Sequence, residues 1–231
     1  MLNIQGFLKT TLLDFPGHVA STVFLGGCNM RCPFCHNMDI VDSAGPGVCS
    51  EEEILSFLKK RAGIIEGVCI TGGEPTIYPE LPDLIRHIRS LGLLVKLDTN
   101  GTNPGVIQAL LSERLVDYIA MDIKSSPKNY PKACGTEGID LSHITESIRI
   151  LINGSCEYEF RTTVVEELFD EEAVRDIKDL LKGAKRYFLQ GFVESEFVPD
   201  KSLHAIDKEK LLRYRQELLK TIGSVELRGY D

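Results

Sequence analysis

The chain has 231 residues, 43 % of them apolar, which is enough for one sizeable core and excludes a disordered chain. With 26 Lys plus Arg against 34 Asp plus Glu the net charge is −8, so non-specific nucleic-acid binding, which needs a basic face, is not expected. No apolar run approaches the ~20 residues of a bilayer span, and MLNIQGFLKTTLLDF lacks the basic start, apolar stretch and cleavage site of a secretory signal. The expected compartment is the cytoplasm. Seven cysteines, an odd number with three in one short stretch, then point to metal or redox chemistry rather than a disulfide framework.

The predicted elements alternate in type. HVASTVFLGG (18–27), rich in β-branched residues, reads as a strand, and SEEEILSFLKKRAG (50–63) as a helix with Ser50 as N-cap, Glu53 closing a capping box and Ile54, Leu55 and Leu58 as its apolar stripe. GVCITGG (67–73) is a short buried strand, LPDLIRHIRSLG (81–92) a helix stopped by Gly92, LLVKLDTNG (93–101) a strand, and PGVIQALLSER (104–114) a helix with Pro104 near its start. VDYIAMDIK (116–124), CEYEFRTTVV (156–165) and KRYFLQGFV (185–193) are strands, followed by helices over 141–154, 171–184 and 207–222 and a short final strand at 224–230. The longest stretches without regular pattern are 36–49, 125–140 and 194–206, candidates to cover an open face. Strand and helix in turn, six times, with crossovers long enough for parallel pairing, define an α/β protein, either a doubly wound sheet or a barrel of βα units. With no linker in sight, a single domain over 1–231 is expected.

The chemistry concentrates in GGCNMRCPFCHN (26–37), where Cys28, Cys32 and Cys35 are spaced C-x3-C-x2-C with His36 next to the last. A structural zinc ion wants four ligands, often in two Cys pairs. Here no second pair exists, Cys49, Cys69, Cys134 and Cys156 are scattered singly, and adjacent Cys35 and His36 would crowd a tetrahedron. Cys69, in mid-strand, reads as a small core residue. An iron–sulfur cluster with three protein thiolates leaves one iron open, a position that suits substrate binding rather than simple electron transfer.

This loop, with aromatic Phe34 before the last cysteine, resembles the signature of the radical S-adenosylmethionine (SAM) superfamily. The resemblance implies a 4Fe–4S cluster on Cys28, Cys32 and Cys35, SAM chelated at the open iron, and a partial parallel (βα)6 barrel of the TIM-like kind. Further stretches fall at the expected strand ends. ITGGEP (70–75) resembles the superfamily's GGEP element: Gly72 and Gly73 allow close backbone approach to a ligand, and Glu74 is placed to accept a hydrogen bond from an ammonium group. DTNG (98–101) offers Asp98 and Thr99 to SAM or to a monovalent cation, although Asn100-Gly101 is equally ordinary turn chemistry. In MDIK (121–124), Asp122 and Lys124 share one strand face; a similar element in the activating enzymes meets the SAM carboxylate or a cation beside it, and the structural alternative is an ion pair. Arg161 is a candidate carboxylate clamp, with a salt bridge to Glu159 as the alternative. Gln190 and Phe192 are candidates for adenine contact.

LKTTLLDFPGHVASTVFLGGCNMRCPFCHN and the C-terminal VELRGY together resemble the glycyl-radical-enzyme activating proteins, nearest to those that serve anaerobic ribonucleoside-triphosphate reductase. That resemblance implies a glycyl radical enzyme as partner, an electron donor such as flavodoxin or ferredoxin, and removal of a glycine Cα hydrogen after one-electron cleavage of SAM. The related D-G-P-G turn is here Asp14-Phe15-Pro16-Gly17, and Asp14 is the candidate for contact with the partner's glycyl loop. A radical SAM enzyme acting on a purine-like small molecule is the rival reading, and a non-enzymatic iron–sulfur or zinc protein the rival from another class.

Overall fold

The computed structural model describes residues 2–43 and 47–230. Its elements follow the alternation closely. They run β1 (Ile4–Thr11), β2 (Ala20–Leu25), α1 (Met38–Val41), α2 (Glu51–Lys60), β3 (Gly67–Gly72), α3 (Leu81–Ser90), β4 (Leu94–Thr99), α4 (Pro104–Ser112), β5 (Tyr118–Asp122), α5 (Tyr130–Cys134), α6 (Leu141–Asn153), β6 (Glu157–Val164), α7 (Glu171–Leu180), β7 (Arg186–Gly191), α8 (Lys208–Leu218) and β8 (Ser224–Arg228). A single 3₁₀ turn, Pro75–Ile77, follows β3. The capping box of α2 is formed, with the Ser50 side chain on Glu53 N and the Glu53 carboxylate on Ser50 N, and Gly92 ends α3 in the left-handed region at φ +78°.

Three elements lie outside the predicted set. The short helices α1 and α5 interrupt stretches that read as patternless. Strand β1 pairs antiparallel with β2. It escapes the apolar alternation because it is an edge strand, buried only at its two ends, and its register shifts around Gly6.

The chain forms two compact units. The first holds residues 1–29, 39–99 and 103–120, and the second holds 30–38, 100–102 and 121–231. In the first, β1 to β4 lie in chain order, with β2, β3 and β4 parallel in unbroken register. In the second, β6, β7 and β8 are parallel and also in chain order. Strand β5 runs from one unit into the other.

The N-terminal ends of the first unit's strands close on Phe15. Its ring is 3 % exposed and packs against Ala20, Leu94, Tyr118 and Ala120. A Cβ on Gly67 would fall 2.8 Å from that ring, so the glycine that opens β3 is the space Phe15 fills. Ala20, Gly67, Leu94 and Tyr118 are the first residues of their four strands. Phe15 is therefore a floor, and the loops that carry the chemistry leave from the opposite, C-terminal ends.

Candidate active site

In the first unit the cysteine loop starts where β2 ends. Gly27, at φ +74°, donates its N–H to Ile40 O at 2.9 Å and accepts from Glu74 N at 2.9 Å, which fixes the backbone just before Cys28. The two glycines of GGEP serve this junction. A Cβ on Gly73 would stand 1.8 Å from Gly27 O, and one on Gly72, at φ +117°, 2.3 Å from Leu25 O. Their smallness lets the loops after β2 and β3 touch, so the reason to expect glycine here is contact between two backbones, with or without a ligand.

Glu74 is fully buried, and its Oε1 accepts from Thr76 N at 3.0 Å, Thr76 Oγ1 at 2.5 Å and Thr99 Oγ1 at 2.7 Å. The carboxylate thus caps the 3₁₀ turn and ties it to the end of β4, bringing Glu74 and Thr99 together. Asp98 is held by Lys96, which binds Oδ1, and by Thr71, whose hydroxyl reaches Oδ2 at 3.2 Å. Asp14 lies before β2, toward the floor, and accepts a 2.5 Å hydrogen bond from Thr22 in mid-strand.

In the second unit the loop continues through Cys32 and Cys35. Arg31 N donates to Cys134 O at 2.8 Å, Cys35 N to Cys32 O at 3.1 Å, and Asp200 N to Pro33 O at 3.0 Å. Gly135, at φ +60°, lies so near that a Cβ there would be 1.8 Å from Arg31 O. The stretches 125–140 and 194–206 therefore pin this loop. Phe34 is 5 % exposed, an anchor that holds the loop down. Asn37 N points at Cys35 Sγ, 3.4 Å away, and the His36 and Phe192 rings stand 6.0 Å apart.

Asp122 accepts from Arg161 Nε at 2.8 Å and from Lys124 Nζ at 3.0 Å, so three predicted residues form one cluster. Burial works against the charge on Asp122, but Arg161 and Lys124 outweigh it and hold the carboxyl well below the usual range. Burial likewise opposes the charge on Lys124, yet Asp122 and the neighbouring Cys32 keep its ammonium protonated beyond the ordinary lysine range. The Glu159 carboxylate, 2 % exposed, is gripped by Arg228 at 2.8 and 2.9 Å. Arg228 also lies over the Phe188 ring at 3.4 Å. Gln190 is in register with Thr163 on one side and Arg228 on the other.

Four contributors escaped the sequence reading: Lys96, Glu159 as a partner of Arg228, Arg228 itself and Tyr130. Lys96 alternates with Asp98 in VKLD, the same signal that picked out Asp122 and Lys124. The buried Tyr130 hydroxyl has no hydrogen-bond partner, and its charge environment includes Lys124, Asp122 and Cys32.

Residues 22–195 match the radical SAM superfamily. A curated protein of Methanocaldococcus jannaschii, provisionally named a glycyl-radical enzyme activating enzyme, is 30 % identical over 99 % of this chain and 93 % of its own length. The pyruvate formate-lyase-activating enzyme of Clostridium pasteurianum is 28 % identical over 95 % of this chain and 99 % of its own. Streptococcus suis SuiB bound to S-adenosylmethionine shares the fold, with a TM-score of 0.69 at 13 % identity over 88 % of this chain and 48 % of that one. The chain belongs to the radical SAM superfamily and, within it, to the glycyl-radical enzyme activating family. It is an enzyme of that type, with an α/β fold built on a mainly parallel sheet, consistent with the partial barrel expected from its sequence.

Membership implies a 4Fe–4S cluster and SAM. The donor set fits. Three thiols sit on a loop pinned at both ends, a backbone N–H is directed at one sulfur, as is usual for cluster thiolates, and an ammonium stands near another. For SAM, Lys124 and Arg161 would offer cations, and the Tyr130 hydroxyl a hydrogen bond, to the carboxylate of a bound amino acid.

Proposed function

We propose that the chain activates an anaerobic ribonucleoside-triphosphate reductase, with Cys28, Cys32 and Cys35 as the three ligands of one cluster. The observation that carries the reading is the cysteine loop at the end of β2, joined by backbone hydrogen bonding at Gly27 to the GGEP turn at the end of β3. The choice of reductase rests on the N-terminal LKTTLLDF and C-terminal VELRGY resemblance. Cys49, Cys69, Cys134 and Cys156 are far apart in sequence, which suits a minimal form with one cluster.

When bound, the cluster and SAM supply the one-electron chemistry that removes a Cα hydrogen from a glycine. The chain's part is position and exclusion of water. Lys124 and Arg161 present paired cations to a carboxylate, while Asp122 keeps both aligned. Glu74, with Thr99, sets the turn that follows β3, and Gly72 and Gly73 let that turn reach the cysteine loop. Asp98 adds a carboxylate at the end of β4, Gln190 and Phe192 offer a polar and an aromatic surface for adenine, and Asp14 reaches the inner sheet face from the floor. A flavodoxin or ferredoxin would supply the electron. Among the described residues no helix is long and apolar enough to cross a membrane, which accords with work in the cytoplasm.

The test is an anaerobic electron paramagnetic resonance spectrum of reconstituted protein, reductant, SAM and the reductase of the same organism, with 5′-deoxyadenosine assayed in parallel. A glycyl radical doublet that needs every component supports the assignment. Deoxyadenosine without the doublet would move the search to another glycyl radical enzyme or to a small substrate.

A further inference from the structure

Lys96 stands out from the rest of β4. Val95 and Leu97 on either side of it are fully buried toward the helices, whereas Lys96 points to the inner sheet face with its side chain only 3 % exposed. Its register partner on β3 is Cys69, whose partner on β2 is Thr22. The ammonium meets the Cys69 sulfur at 3.6 Å and the Asp98 carboxylate directly. An ammonium buried this deeply persists only where a carboxylate or several acceptors replace its water.

The same is true, taken by itself, of the second unit. There Asp122 Oδ1 takes Arg161 and Oδ2 takes Lys124. Both carboxylates that the sequence marks as candidates for a monovalent cation are thus met by cations of the chain itself. A lysine ammonium and K⁺ have similar size and the same charge, and Lys96 is delivered by the strand that carries Asp98, two residues away on the same face.

We infer that Lys96 is a built-in counter-cation for Asp98, in the place a free monovalent ion would take, so that SAM binding by this protein needs neither K⁺ nor Na⁺. The inference rests on the proposed reading in which Asp98 lies beside SAM. Lys96 acts through Asp98 and is a positioning residue.

The experiment measures SAM affinity of the cluster-loaded protein by anaerobic equilibrium dialysis in choline, Na⁺ and K⁺ chlorides at one ionic strength. Wild type binds equally in all three. Lys96→Met binds about tenfold more weakly in choline and regains affinity in K⁺, the order of coupling expected when a charge is removed beside a binding site. Without SAM, the thermal midpoint of Lys96→Met rises on replacing choline by K⁺, and that of wild type does not move. A wild-type affinity that climbs with K⁺ overturns the inference without recourse to any variant. So does a Lys96→Met protein that keeps its iron yet stays weak in K⁺, because the pair would then be purely structural. Asp98→Asn separates the two levels: normal SAM binding in every salt refutes the placing of Asp98 beside SAM, whereas the cation response of the thermal midpoint still reports on Lys96.

Discussion

Glu159 of β6 and Arg228 of β8 are joined by two hydrogen bonds, Nη1 to Oε1 at 2.8 Å and Nη2 to Oε2 at 2.9 Å, with the carboxylate almost wholly buried. This accounts for the arginine of the C-terminal VELRGY: it neutralises an acid two strands away. Arg228→Ala takes a two-bond cationic partner from that buried acid, with an expected loss of roughly 3–5 kcal/mol in a urea titration. Arg228→Lys keeps the charge but not the fork, and should recover only part of the loss. Replacing both residues by apolar ones should cost far less than Arg228→Ala alone.

Phe15 stands where the related turn has glycine. Because its ring is the floor beneath Ala20, Leu94, Tyr118 and Ala120, Phe15→Ala is expected to destabilise by about 3–5 kcal/mol, with the iron content of the folded fraction unchanged. Unfolding by denaturant, read beside an iron assay, checks both halves of the statement.

Glu74 has a structural task before any ligand arrives, since one oxygen serves Thr76 twice and Thr99 once. Glu74→Gln keeps an acceptor and should fold with near-normal iron content while binding SAM more weakly. Glu74→Ala leaves buried donors unsatisfied, at about 1–3 kcal/mol, and should show that loss in the thermal midpoint as well as in SAM binding. Equal SAM affinity for wild type and Glu74→Gln would assign the residue to the turn alone.

Asp122 gives a pH signature. Its carboxyl is held below the usual value in the folded chain, so it stabilises the fold at pH above about 4 and that contribution fades as acid protonates it. Wild type should therefore lose stability steadily from about pH 5 downward. Asp122→Asn lacks this component and should be less stable at neutral pH, with the gap narrowing progressively as the pH falls below about 4. A constant gap between the two urea midpoints across that range would contradict the ion cluster.

The alternation of apolar runs was enough to read six strand–helix units, because each strand is buried on both faces by its neighbours and each helix carries a single apolar stripe. Strand β1 was not legible for the opposite reason: IQGFLKTT pairs on one side only, so its side chains need no consistent pattern. The cysteine spacing, GGEP and D-x-K announced their positions through residue type. Their partners did not. That Gly73 abuts Gly27, that Thr99 serves Glu74, and that Arg161 reaches Asp122 depend on loops and strands that meet only in the fold. Lys96 was legible in principle, since a lysine alternating with an aspartate on a buried strand has to find a counter-charge inside.

The clamp on the cysteine loop makes its geometry depend on residues remote from it in sequence. Arg31 and Pro33 are tied by main-chain hydrogen bonds to Cys134 and Asp200, and Gly135 is pressed against the Arg31 carbonyl, none of which uses a cysteine sulfur. The spacing of Cys32 and Cys35 is thus held by main-chain bonds and close packing within the second unit, so a side chain introduced at Gly135 would displace the loop with every cysteine still present.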